Sequence, residues 1–376
     1  MRILHIAECA GGVERYLAML LPLLKEQGMV QVLACSYDYD AEKFRPLVDE
    51  VRQLHLRQSF SPKAIFTQVK RLRAVIAEVR PDVVYCHSSF AGGLGRLAVR
   101  LNHEAKVVYN PHGWAFNIGG AKSDGANVGM SKKQMLYLRI ERMLARWTDR
   151  IVCISWAERE SALKNGICED EKLRVIENGI EVEKVRVAVA KDRAVMGFEE
   201  KDFVVGMIGR LSAQKAPDVF VRAAKKIKER IPQAVFVIVG NGEQTDEVMA
   251  YAKENDLTLY VTGWTDEPYA YLKTFDVAML LSRWEGFGLA IVEYMAAVKN
   301  VVATRVDAIP TLVEDGVDGL LVPMDDADAA AEKVVWLYEH PEEAKRMREK
   351  ALWKVTERYD VKRVARQHVE MFNELW

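Results

Sequence analysis

The sequence predicts an α/β protein made of two doubly wound parallel-sheet domains. Three observations carry this. The chain has 376 residues, roughly two to three times an ordinary domain. Short apolar runs rich in β-branched residues alternate with helical patterns, as expected for parallel strands buried on both faces. The alternation stops once, in the charged stretch 181–201, and then restarts.

In the first half, strands are expected at 2–6, 30–35, 83–86, 106–109, 150–154 and 173–176, with helices over 14–26, 61–78 and 132–148. Ser61-Pro62 marks a helix start, because serine can cap and the fixed φ of proline suits the first helical position. In the second half, strands are expected at 203–208, 235–239, 258–261, 277–280, 301–303 and 319–322, with a clear helix over 217–230. Beyond about residue 325 the pattern is almost all helical and closes with a helix over 360–376. The expected domains are 1–182 and 183–360. Open parallel sheets bind ligands beyond the carboxyl ends of their strands. The loops after the strands, and a cleft between the two sheets, are therefore where chemistry is expected.

Composition narrows the function class. Apolar residues make up 50% and charged residues 28%, which excludes a disordered chain, a collagen and a small disulfide scaffold. No apolar run approaches the ~18 residues of a membrane span, and the start reads directly into a strand, so a cytoplasmic enzyme is expected. The five cysteines, at 9, 35, 86, 153 and 168, match neither a disulfide framework nor a zinc site. The net charge of −1 argues against nucleic acid as a partner. Its distribution is uneven, with 17 Lys+Arg against 6 Asp+Glu in residues 51–150. That excess suits either an anionic partner surface or solvated helix faces.

Three loops carry candidate chemistry. Gly11-Gly12 follows the first strand and precedes a helix, which allows close approach to a phosphate or sugar. A merely tight turn reads the same way, and the dinucleotide fingerprint spacing is absent. Gly209-Arg210 and Lys215 lie between a strand and a helix, where a guanidinium fork and a mobile ammonium suit a diphosphate. The stretch 282–293 contains Glu285 and Glu293 with seven residues between them. Eight steps of helix would span roughly 12 Å, too far for two carboxylates at one glycosidic bond. The spacing suits two ends of one extended ligand, with helix-start amides between them for phosphate.

The Glu-x7-Glu pattern with Gly286-Phe287-Gly288 inside it resembles the retaining glycosyltransferases of family 4. The resemblance extends to Gly11-Gly12, Asn178-Gly179, Gly209-Arg210, Lys215, Gly240-Asn241-Gly242, Thr262-Gly263-Trp264 and Glu314-Asp315-Gly316. It implies the GT-B architecture: two Rossmann-like domains facing a central cleft, with the C-terminal helix 361–376 crossing back to the first domain.

The resemblance also implies residue roles. Arg210 and Lys215 would hold the donor diphosphate, Glu293 the ribose hydroxyls, and Glu285 the transferred sugar. Amides at Phe287, Gly288 and Leu289 would bind sugar and phosphate oxygens. Gly240, Gly263 and Trp264 would lie near the nucleotide, and Gly209, Gly11 and Gly12 would let backbone approach the diphosphate. His112 would lie against the donor sugar, as a group that polarises hydroxyl or phosphate. Apart from the resemblance, His87 also follows a strand, which makes it a candidate for the acceptor side. A structural turn role for His112 remains open.

Two departures from the family pattern stand out. Val306-Asp307-Ala308 replaces the usual glycine pair, and Ala216 follows Lys215 where glycine is usual. The second is expected to be mild, since alanine opens a helix well. Asp38-Tyr39-Asp40 and Asp326-Ala327-Asp328 match the metal-binding Asp-x-Asp signature. The resemblance instead implies no cofactor and no metal, with cations neutralising the leaving group.

The expected reaction is transfer of a hexose from a nucleotide-diphosphate sugar, a UDP-sugar being favoured, to an acceptor hydroxyl with retention. The family implies same-face attack, the leaving phosphate taking the acceptor proton. Basic helices that also carry Phe, Leu and Met suit an anionic membrane surface. With the resemblance, they imply a lipid-linked saccharide acceptor in polysaccharide assembly, and a protein peripheral on the inner face of the membrane. A sugar-nucleotide epimerase of the same fold and a non-catalytic scaffold subunit are the alternatives.

Overall fold

The computed structural model describes residues 1–9, 11–100, 105–117 and 130–376. Thirteen strands occur among them, paired in parallel in two separate sheets. The first sheet comprises β1 (Arg2–Ile6), β2 (Val30–Ser36), β3 (Glu50–Leu54), β4 (Val83–His87), β5 (Lys106–Asn110), β6 (Arg150–Cys153) and β7 (Leu173–Val175), in the order β3-β2-β1-β4-β5-β6-β7. The second comprises β8 (Phe203–Ile208), β9 (Ala234–Val239), β10 (Leu259–Val261), β11 (Val277–Leu280), β12 (Asn300–Thr304) and β13 (Leu320–Val322), in the order β10-β9-β8-β11-β12-β13. Each sheet reverses its winding once, between β1 and β4 and between β8 and β11. Those are the switch points at which open α/β sheets bind ligands.

The central strands read as unbroken apolar runs because helices cover both faces. All six residues of β9, Ala-Val-Phe-Val-Ile-Val, are buried. In the first sheet, Leu4, Ile6, Val84 and Cys86 pack into one core and Ile3, Val83 and Tyr85 into another, as period-2 alternation requires. β3 was not expected from sequence. Its Glu-Val-Arg-Gln-Leu run lacks an apolar face, and it is an edge strand with no fully buried residue.

The chain divides into two compact units. One holds residues up to Asn178 together with Val361–Trp376, and the other holds Gly179–Asp360. The division falls four residues before the 182/183 boundary read from sequence. Ile180 already belongs to the second unit, bridging Asp360 and donating its N–H to the Tyr359 carbonyl at 2.9 Å. The final helix, Val361–Asn373, packs on the helix Gly11–Glu26 in the first unit. Val361, Val364, Ala365, His368, Met371 and Phe372 form its buried stripe, spaced for one helical face.

Local expectations need three corrections. Ser61 makes no side-chain cap, and only Pro62 at the first helical position follows the expected pattern. The helix expected over 132–148 ends at Leu144 and continues as a 3₁₀ turn, Ala145–Trp147. Ala216 is not a favourable helix opener. It sits before the helix Pro217–Arg230 at φ +49, a left-handed conformation that a Cβ disfavours. No helix among the described residues is long and apolar enough to cross a membrane.

Candidate functional site

In the second unit, the loops after β8 and β11 flank the switch point and carry most of the expected residues. Lys215, two residues before Pro217–Arg230 begins, places its ammonium on Glu285 Oε1, and Ser282 Oγ donates to the same oxygen at 2.8 Å. Glu285 is buried, so its charge is held by these two donors in a setting of low dielectric. Its backbone N–H donates to Asp307 Oδ2 at 2.8 Å. Burial, and secondarily the nearby Glu285 charge, raise the Asp307 carboxyl above the usual carboxylate range, against the lowering effect of that N–H. Asp307 adopts φ +43, a conformation that aspartate tolerates better than most residues. Asp307, which stands where the family pattern has a glycine, thus takes a left-handed backbone and supplies an acceptor that pins the Glu285 loop.

The rest of the β11 loop is braced by Arg283. It donates to Asp218 at 2.7 Å, to Asp325 at 2.7 Å and to the Ala213 carbonyl at 2.9 Å. Its N–H also donates to the Gln214 carbonyl at 2.8 Å, and Gln214 Nε2 donates to the Trp284 carbonyl at 3.0 Å. The Lys215 loop and the Glu285 loop are thereby tied together.

Gly288, at φ +98, turns the chain into the helix Leu289–Ala296. The first amides of that helix have no intrahelical acceptor. Phe287 is buried with its ring edge-on to Tyr359, 5.8 Å between centroids. Glu293 lies one turn into the helix, buried, and accepts from Tyr269 OH at 3.0 Å.

Gly240 and Gly242 allow close backbone approach. A Cβ at either would overlap the carbonyl oxygen of Gly209 or Leu211. Gly240 bridges Gly263 and donates to Thr262 Oγ1 at 3.3 Å. Arg210 and Trp264 are exposed, and Arg210 pairs with Glu243 at 3.3 Å. Arg210 is thus not brought onto the Lys215–Glu285 pair.

Gly11, Gly12 and His112 lie in the first unit. Gly11, at φ +56, and Gly12 open the helix Gly11–Glu26 after β1. His112 follows β5 at φ +52, with its N–H on Asn110 Oδ1 at 3.0 Å. The next residue, Gly113, donates to Glu158 Oε1 at 2.8 Å, and Trp114 Nε1 donates to the Glu158 carbonyl at 2.9 Å. Burial pushes the Glu158 carboxyl up to about 7, although the Ile154 and Gly113 amides pull it down.

Sequence reading missed what His112 is attached to. His112 Nε2 meets His87 Nδ1 at 3.1 Å, and His87 Nε2 meets His5 Nδ1 at 3.2 Å. Burial lowers His5 and His112 to about 3, and it lowers His87 as well. His87 is fully buried, so it does not line an open acceptor face as sequence reading expected. Beside this row, His368 Nδ1 donates to the Val364 carbonyl at 2.7 Å, leaving the single lone pair of Nε2 to accept from the Tyr16 OH at 2.8 Å, with the Tyr85 OH 3.1 Å from the same nitrogen and 3.3 Å from the Tyr16 OH. Tyr269, Asp307 and Ser282 were likewise not expected as site residues.

The Asp-x-Asp matches have local structural roles. Asp38 accepts from Ser36 Oγ and Asp40 from the Glu42 amide. Asp326 caps the helix Ala327–Glu339 and Asp328 pairs with Lys226. Among the described residues no group of three or more side chains is arranged to hold a metal ion.

Residues 10–184 match the family model described as Glycosyltransferase Family 4, and residues 189–352 match that described as Glycosyl transferases group 1. A UDP-Gal:alpha-D-GlcNAc-diphosphoundecaprenol alpha-1,3-galactosyltransferase of Escherichia coli is 33% identical over 267 residues, which span 69% of this chain and 66% of that protein. An uncharacterized 41.2 kDa protein in the cps region of Klebsiella pneumoniae is 31% identical over 67% of this chain and 68% of its own length. The crystal structure of HepE from Anabaena in complex with UDP and glucose matches all of both chains with a TM-score of 0.82 at 20% identity, a likeness of fold. Together with the two switch-point sheets, these matches show that the chain belongs to glycosyltransferase family 4.

Proposed function

We propose that this protein transfers a hexose from a UDP-sugar to a hydroxyl of a lipid-linked saccharide, with retention of configuration and without a metal ion. The observation that carries the reading is half-buried Lys215 on buried Glu285 and Ser282 at the second unit's switch point, in the loop that leads into the helix carrying the buried Glu293. A UDP-sugar and a diphosphoundecaprenol-linked GlcNAc are named for the Escherichia coli relative. The same chemistry suits the cluster here.

In this reading Glu285 accepts from hydroxyls of the transferred sugar and Glu293 from those of the ribose. Lys215 has three donors, and Glu285 takes one. The others, with Arg210 and the amides of Phe287, Gly288 and Leu289, neutralise the diphosphate as it departs. The bond between the anomeric carbon and the phosphate oxygen breaks. The acceptor oxygen bonds to the anomeric carbon from the same face, and its proton passes to the leaving diphosphate. These cations supply the charge compensation that a metal would otherwise provide.

Exposed Phe66 on the basic helix Pro62–Val79, and exposed Met135, Leu136 and Met143 on Lys132–Leu144, support contact with an anionic bilayer on the cytoplasmic face. Vesicles containing anionic lipid should retain the protein at low salt and release it at high salt.

The test of the reaction is incubation with UDP-hexoses and a GlcNAc-diphospholipid, with and without EDTA. The expected result is an α-linked disaccharide lipid in both. Donor turnover without acceptor would instead indicate an epimerase.

A further inference from the structure

We infer that Gln31, acting through His5 and His87, sets the tautomer of His112, so that the ring presents an unprotonated Nδ1, an acceptor for a hydroxyl and not a donor to a phosphate or carboxylate oxygen.

The three rings come from adjacent strands. His5 lies on β1 and pairs in register with Tyr85 of β4; His87 ends β4; His112 follows β5. Their nitrogens meet in two contacts, His5 Nδ1···His87 Nε2 at 3.2 Å and His87 Nδ1···His112 Nε2 at 3.1 Å. No carboxylate bonds to any of the three rings among the described residues, and burial keeps them neutral. A neutral imidazole carries one N–H. Each contact needs one hydrogen, since two lone pairs or two hydrogens would repel.

Only two arrangements satisfy both contacts. In one, all three rings are protonated at Nε2. In the other, all three are protonated at Nδ1. No mixed state works, so the end of the row at His5 dictates the end at His112.

That far end is asymmetric. His5 Nε2 and Gln31 Oε1 are both buried without a well-formed partner. Gln31 is nonetheless the side chain that raises His5 by hydrogen bonding. A contact between these two atoms, looser than an ordinary hydrogen bond, accounts for both facts. The Gln31 amide cannot turn to offer its NH₂ without losing the 2.7 Å bond from Nε2 to the Leu21 carbonyl. Gln31 therefore presents an acceptor, and His5 meets it with Nε2–H. The alternative would set two buried lone pairs against each other.

The row is then fixed: His5 donates to Gln31, His87 to His5, and His112 to His87. His112 is half-buried, and its Nδ1 meets no protein partner among the described residues. Its lone pair accepts a hydroxyl hydrogen and repels an anionic oxygen. His87, His5 and Gln31 are positioning residues for it.

The test is long-range ¹H–¹⁵N correlation of histidine-labelled protein at pH 7.5. The expected spectrum shows His5, His87 and His112 all as Nε2–H tautomers. Gln31→Met removes the acceptor and should turn His112 into a tautomer mixture. His87→Phe severs the row and should release His112 while leaving His5 as Nε2–H. An Nδ1–H tautomer at His112 in the wild type, or an unchanged His112 in both variants, overturns the relay.

Discussion

Acidification from pH 7 to pH 5 should selectively destabilise the first unit. His5 and His112 are held near 3 and His368 near 4 by burial, and the unfolded value is about 6.5. The unfolded chain binds these protons below pH 6.5, whereas the folded chain binds them only near its own lower values. Their contribution is therefore complete above about pH 6.5 and is lost as pH falls. By pH 5 each has cost about 2 kcal/mol, roughly 6 kcal/mol for the three. His87 acts in the same direction. Glu158 opposes them. Its folded value of about 7 lies above its unfolded 4.5, so its neutral form stabilises the fold as pH falls, by about 2 kcal/mol over the same interval. The histidines win by about 4 kcal/mol, a large part of the 5–15 kcal/mol of a typical domain. The second unit has one histidine, His340, and lacks this load. Hydrogen exchange with peptide-level mass analysis reads the two units separately. The slowest amides of β1, β4 and β5 should exchange by global opening about a thousandfold more readily at pH 5, after correction for intrinsic rates, while those of β8, β9 and β11 change little. Equal protection of the first unit at both pH values would refute the reasoning.

Four substitutions follow from the same geometry. Lys215→Met leaves the buried Glu285 charge with Ser282 alone, and urea unfolding should show a loss of about 3 kcal/mol. Adding Glu285→Gln should recover most of that stability, a non-additive result, without restoring transfer. Ala216→Gly relieves the left-handed backbone at φ +49 and should gain about 1 kcal/mol in the same assay. Glu158→Gln removes the one opposing contribution, so the first unit's stability should fall more steeply between pH 7 and pH 5, by about 2 kcal/mol more than in the wild type, measured by unfolding midpoints across that range.

Periodic features of the fold were legible in the sequence. β1, β8, β11 and the helix Pro217–Arg230 begin and end where the apolar patterns do, because fully buried strands and an amphipathic helix write their environment into residue type. β3 was hidden because an edge strand with charged residues lacks that imprint. Lys215, Glu285 and Glu293 stood out as candidates because each sits in a loop or helix that follows a strand. Asp307 stood out as a departure from the family pattern, but its bond to the Glu285 amide depends on β11 and β12 lying side by side. The histidine row was invisible for the same reason. His5, His87 and His112 are scattered in sequence, and only the strand order β1-β4-β5 makes them neighbours. The cost at Ala216 was misread because helix propensity ranks residues inside a helix, not at a left-handed position before it.

The donor site is tested most directly by calorimetric titration with UDP, GDP, ADP and dTDP, each with and without EDTA, on the wild type and on Glu293→Gln. The account predicts that UDP binds most tightly, that EDTA leaves its affinity unchanged, and that the substitution weakens it roughly tenfold or more, the loss of a hydrogen bond to a charged acceptor. No nucleotide binding, binding abolished by EDTA, or UDP affinity indifferent to Glu293→Gln in a folded variant would contradict it.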